Sequence, residues 1–228
     1  MNRKLTMTII VAACLLCIGL LAGLFVFAEP DSGILYQAGL YLKELWNPGG
    51  EQANGADGVL AKYNGEAITA DNVEYNRKMN ILRSPEQADK YDTDYNIIVQ
   101  LVTNRMVREE AERRGLVATE EEIQSMVDNA MEAYAHPDGK EMMDEYFAGA
   151  GITLEEYLQM VRDVAPGQIA RQKLLDAVGK EYCEANGLEF TKLNPPAEMV
   201  AAQEAFLKEL YEQNKHKVEW FMEIQDAG

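Results

Sequence analysis

Few residues of this 228-residue chain have the type and spacing to do chemistry. Cys14 and Cys17 form a C-x-x-C, a spacing that suits a redox pair or half a zinc site. Leu15 and Leu16 lie between them within a long apolar run, with no His or carboxylate nearby, so the two thiols read as small apolar residues of that run. Cys183, the third cysteine, has no partner for an intrachain disulfide beyond the run. His136 sits beside Pro137 in turn-like sequence, His216 among lysines, and neither neighbours a nucleophile. Glu120-Glu121-Glu122 and Glu155-Glu156 resemble paired acids, but each group opens a helical pattern, where carboxylates favour the positive helix end. No G-x-S-x-G, H-E-x-x-H or Gly-rich phosphate loop occurs. The residues therefore imply no enzyme, no metal site and no cofactor.

Binding chemistry is better supplied. Between Met126 and Met160 the chain carries Met131, Tyr134, Met142, Met143, Tyr146, Phe147 and Tyr157. Flexible thioethers and aromatic rings adapt to varied apolar partners, so these seven are the candidate peptide-binding residues. Most recur at helical spacing and are expected in a core, leaving a minority to line an open groove. Met142, Met143, Tyr146 and Phe147 are the first candidates, because they crowd one short segment. The net charge of −17 offers no basic face to nucleic acid and suits basic partners instead.

The elements that must position these residues begin with a membrane signal. Asn2, Arg3 and Lys4 precede an apolar run over residues 5–28, and Glu29 and Asp31 follow it. A bilayer core needs about 20 apolar residues in a helix, so the run predicts a single transmembrane helix. Its flanking charges place the N-terminus in the cytoplasm and the main domain outside. Val26-Phe27-Ala28 allows the alternative of cleavage near Ala28 and secretion, but a signal peptide's apolar region is usually about 7–15 residues, shorter than this one. A lipobox-like Val11-Ala12-Ala13-Cys14 is read as a chance match, because the chain stays apolar after it.

Residues 29–58 read as a juxtamembrane segment and linker. Leu35, Tyr36, Leu42 and Trp46 fit either an amphipathic helix on the membrane surface or a helix packed on the soluble domain. Residues 47–58 have linker composition. The domain of residues 59–228 opens with a hairpin turning at Asn64-Gly65. Helices follow: one capped by Thr69 or by an Asp71–Glu74 box and ended at Ser84-Pro85, and a strong one from Asp94 to a Gly115 cap. A third opens at the Thr119–Glu122 capping box. Pro137-Asp138-Gly139 predicts a turn, and Gly149 and Gly151 a break. Thr153 to Glu156 caps the next helix, Pro166 begins a long one closing near Gly187, and Pro195-Pro196 precedes the last. Residues 216–224 alternate as a strand expected to pair with the hairpin. The fold class is mainly α, with a small β element joining both ends of the domain.

With those elements in place, Val59-Leu60-Ala61-Lys62-Tyr63-Asn64-Gly65-Glu66-Ala67-Ile68-Thr69 resembles the opening strand-turn-strand of SurA-type chaperone domains. PrsA-type foldases open with the same module, and the substrate-binding part of trigger factor is related. The resemblance continues through the long helix ending at Arg113-Arg114-Gly115, through Thr119 to Ile123, and through Gly151 to Tyr157. It implies a helical cradle for unfolded or extended polypeptides, and no isomerase activity, since no parvulin domain follows. The expectation is a membrane-anchored extracytoplasmic chaperone for unfolded or newly exported chains. The alternative is an adaptor dedicated to one envelope partner.

Overall fold

The left-handed backbone at Asn64 (φ 49°) and Gly65 (φ 83°) is the local instruction that starts the sheet. Two successive positive φ values twist a two-residue turn to match its strands, so β1 (Val59–Tyr63) returns directly as β2 (Glu66–Thr69). The pair is antiparallel, with Tyr63 opposite Glu66 and Ala61 opposite Ile68. On the other side of β1 lies β3 (Val218–Trp220), also antiparallel, giving the order β2-β1-β3. The two ends of the domain meet as expected. The strand is shorter than residues 216–224, however, because residues 215–217 close into a 3₁₀ turn.

The computed structural model describes residues 32–45, 58–83 and 93–222. The apolar run of residues 5–28 and most of the linker, residues 46–57, lie outside the described residues. Among the described residues, no helix is long and apolar enough to cross a membrane. Seven α-helices are described: α1 (Ser32–Leu45), α2 (Ala70–Arg83), α3 (Asp94–Arg113), α4 (Glu120–Ala135), α5 (Pro137–Ala150), α6 (Leu154–Asn186) and α7 (Ala197–Asn214).

Several boundaries depart from the sequence expectations. The cap of α2 is Thr69 with Asn72: the Asn72 N–H donates to Thr69 Oγ1 (3.3 Å) and the Thr69 N–H to Asn72 Oδ1 (3.2 Å). Glu74 instead pairs with Arg77 at 2.6 Å, so the Asp71–Glu74 box does not form. Pro137-Asp138-Gly139 is not a turn. Pro137 is the first residue of α5, where no N–H is required, and the reversal is made by His136 in extended conformation. Gly149 does not break α5 either, since the helix runs to Ala150 and ends at Gly151. Pro166 lies inside α6, a continuous helix of 33 residues, and does not begin it. The lost N–H there costs a hydrogen bond to the Arg162 carbonyl, but the helix continues, with apolar packing on both sides of Pro166.

That packing divides into two clusters. The first joins Leu35, Ala38 and Leu42 of α1, Met79 of α2, Val127 and Ala130 of α4, the inner face of α5, and Tyr157, Met160 and Val161 of α6. The second joins the sheet (Ala61, Tyr63, Ile68, Val218), Val73, the α3 face from Ile97 to Ala111, Ala170 and Leu174 of α6, and Leu210 and Tyr211 of α7. Helix α1 is therefore packed on the domain, with Leu35 and Leu42 nearly inaccessible. Of the two readings of that segment, packing is the one observed. Its crossing with α5 is unusually close: a Cβ on Gly39 would lie 2.2 Å from the Tyr146 carbonyl oxygen, and one on Gly149 2.1 Å from that of Tyr36.

Candidate peptide-binding site

The first cluster holds most of the seven candidate residues, and it holds them inside. Met143, Tyr146, Phe147 and Tyr157 are buried, with Tyr146 and Tyr157 at 0% exposure. Phe147 packs 5.2 Å from the Tyr157 ring and 5.9 Å from that of Tyr134, while Tyr146 meets Tyr157 edge-on at 6.5 Å. Burial raises the Tyr146 phenol's pKa far above its ordinary value. Its hydroxyl has no hydrogen-bond partner among the described residues. These four side chains present no face to a ligand; they build the core on which a site would sit.

The other three candidates lie further out. Tyr134 and Met142 are half-buried on the cluster's edge. The Tyr134 hydroxyl donates to Asp144 Oδ1 (2.9 Å), and the Asp144 carboxyl is held below its ordinary range chiefly by the hydrogen bond from Lys140. Met131 is 51% exposed on α4. The structure therefore brings six of the seven together, four buried with Tyr134 and Met142 at their edge, and leaves Met131 exposed outside that cluster.

A groove that the candidate list omits runs between α4 and the first turns of α6. Val127, Leu154 and Leu158 form its floor and Glu155, Gln159 and Arg162 its edge, enclosing about 300 Å³. Leu154, Leu158 and Arg162 are spaced four apart, so one stripe of α6 faces it. That spacing was available in the sequence, hidden behind the more conspicuous methionines. The walls are fixed at both ends. A capping box on Thr153, with Glu156 returning to the Thr153 N–H at 2.7 Å, starts α6 at the groove. Arg162 donates to Glu120 (2.9 Å) and Gln124 (2.5 Å), and Lys173 to Glu122 (2.6 Å), tying the start of α4 along α6. Half-buried Met126 and Met142, like Leu154 and Leu158, pack against the aromatic core.

Nothing in this arrangement positions a proton donor or nucleophile. His136 and His216 are exposed and neither lines the groove, and Cys183 is buried and free. Among the described residues, no group of three or more His, Cys, Asp or Glu could hold a metal ion. The arrangement offers an apolar groove with a charged edge, suited to a chain segment bearing apolar side chains.

The family of SurA-like N-terminal domains matches residues 7–175, about three quarters of the chain. The chain belongs to that family. The match contains β1, β2, the helices from α1 to α5, and most of α6; α7 and β3 lie beyond it. SurA-like N-terminal domains are non-catalytic, chaperone-type modules that bind polypeptides. No parvulin domain accompanies this one in the match. No curated protein and no solved structure matches the chain.

Proposed function

We propose that this SurA-like protein is a membrane-anchored extracytoplasmic holdase, gripping unfolded or newly exported polypeptides in the α4–α6 groove. The observation that carries the reading is a groove floored by Val127, Leu154 and Leu158, in a domain of a polypeptide-binding family. Val127, Leu154 and Leu158 supply the apolar contact surface, and the buried aromatic residues of the same cluster support the helices that carry them. Anchoring rests on the apolar run of residues 5–28 and its flanking charges, which orient the domain outside the cytoplasm.

The test is aggregation of several unrelated unfolded proteins, followed by light scattering, with the full chain held in lipid nanodiscs. Suppression of all of them is expected, and Leu158→Asp should weaken it about tenfold by placing a charge on the groove floor. Leu193→Ser, at an 86% exposed leucine away from the groove, should leave it unchanged. Suppression of no generic client, with binding of a single envelope protein, would instead establish the dedicated adaptor. Release of the domain from membranes with Glu29 as its first residue would overturn the anchor.

A further inference from the structure

Helix α1 has an inner and an outer face, and the inner one is accounted for. Leu35, Ala38 and Leu42 belong to the aromatic cluster, and the close approach at Gly39 and Gly149 sets α1 against α5 backbone to backbone. The outer face has no such partner. Tyr36 is 44% exposed, Leu40 is half-buried and Lys43 is exposed. Spaced four and three apart, they form one stripe along the helix. Residues 32–43 include no acid, in a chain of net charge −17. An aromatic ring, a leucine and a lysine on its apolar stem suit the boundary between lipid tails and headgroups.

Chain length brings that stripe to a bilayer. The apolar run ends at Ala28, and α1 begins at Ser32. Four residues of fully extended chain reach about 14 Å at most. The segment of linker composition, residues 46–57, follows α1 and so does not separate the packed domain from the run. With its first residue held that close, α1 stays at the membrane surface, and its packed inner face cannot turn towards it. Anionic headgroups repel the acidic faces elsewhere on the chain and attract Lys43. That contrast selects the face presented to lipid.

We infer that the stripe of Tyr36, Leu40 and Lys43 rests on the lipid surface and orients the whole domain there. The inference rests on the membrane-anchored reading and carries it from attachment to orientation. Gly149, which packs on the Tyr36 carbonyl, stands five residues before Leu154, where the lining of the α4–α6 groove begins along α6. The groove therefore opens at the membrane end of the domain. Among the described residues, none of α1 belongs to the sheet cluster. The 33 residues of α6 carry the chain about 50 Å from the groove to the exposed α6–α7 loop. A polypeptide segment close to the bilayer is the client that this placement favours.

The experiment uses the full chain in nanodiscs of phosphatidylcholine and phosphatidylglycerol that carry an acceptor-labelled lipid. A donor dye is placed by Glu155→Cys at the groove or by Glu189→Cys on the α6–α7 loop. Both carry Cys14→Ala/Cys17→Ala, and Cys183 is buried. Energy transfer from position 155 should exceed that from position 189 at least about twofold, given the length of α6 between them. Tyr36→Glu/Lys43→Glu, at two exposed positions, should bring that ratio at least halfway to one, with helicity by circular dichroism unchanged. Ala205→Glu/Lys208→Glu, the same change in charge on the exposed side of α7, should leave the ratio as it was. Equal transfer from both positions in the unsubstituted stripe, or a ratio that survives the stripe substitutions, would overturn the orientation and leave the anchor standing. A ratio lost equally in the α7 variant would trace orientation to overall charge and overturn the stripe. A chain that separates from the discs on flotation would overturn the anchor and the orientation together.

Discussion

The two apolar clusters share two helices, α2 and α6, and differ in character. Helix α2 sends Val73 to the sheet-bearing cluster and Met79 to the aromatic one. Helix α6 does the same across Pro166, with Tyr157 and Val161 on one side and Ala170 and Leu174 on the other. The sheet cluster is closed by branched aliphatics, with Ile97, Ile98 and Val102 at 0% exposure. Polar clamps fasten its outside, where Arg105 donates to the carbonyls of Glu66 and Ala67 at 2.9 and 3.0 Å. The aromatic cluster is closed by α1, held by a backbone-to-backbone crossing, and edged with adaptable Met and Leu side chains. β-Branched side chains with few rotamers fix one arrangement, whereas flexible thioethers repack at little cost. One lobe is therefore built to hold its shape and the other to accept variable surfaces.

The substitution that should break this comparison hardest is Gly149→Ala. Its Cβ would meet backbone, which cannot rotate away, so α1 must move off α5. A loss of about 2–3 kcal/mol is expected in denaturant unfolding. Hydrogen exchange should locate it, with protection falling in α1 and α5 and persisting in α3 and β1. Equal loss in both lobes would mean that α6 fuses them into one cooperative unit.

That close crossing also marks where sequence reading ran out. The hairpin at Asn64-Gly65, the boxes at Thr119 and Thr153 and the stop at Gly187 were legible because each is decided within four residues. Pro166 and Gly149 were misread because their fate depends on distant partners: cluster packing on both sides of one, the α1 backbone against the other. The site was half legible for the same reason. Helical spacing placed most of Met143, Tyr146, Phe147 and Tyr157 in a core, but which of the seven stay outside it was decided by the fold. Leu154 and Leu158 had the right spacing and lacked a conspicuous residue type.

A smaller effect sharpens the contrast from the groove side. Thr153→Ala removes the cap that starts α6 at the floor of the groove and should cost about 1 kcal/mol. Thr119→Ala should cost a similar amount. Glu122 of that second box remains tied to Lys173 on the sheet-cluster half of α6, and its carboxyl is held below the ordinary range chiefly by that hydrogen bond. Exchange at the first turn of α4 should therefore rise less than at the first turn of α6. The reverse order would show that Lys173 contributes nothing to holding α4.

The smallest expected effect lies at the sheet lobe and depends on pH. Glu110 is lowered from 4.5 to about 2, first by the hydrogen bond from Arg113 and then by that from Arg114, against a contribution from burial that raises it. A carboxyl depressed by folding contributes stability that is fully present above its unfolded value and lost as pH falls through its folded one. The folded chain thus binds fewer protons at Glu110 between pH 4.5 and about 2, and stability should decline across that window. Arg113 is mostly exposed, so solvent screens the pair and its contribution at neutral pH is small. Glu110→Gln should be slightly less stable than wild type at pH 7 and match it near pH 2, with the difference closing between pH 4.5 and 2. Urea midpoints measured at pH 7, 4.5, 3 and 2 test this directly. A difference independent of pH would mean that the two arginines hold Glu110 by geometry and not by charge.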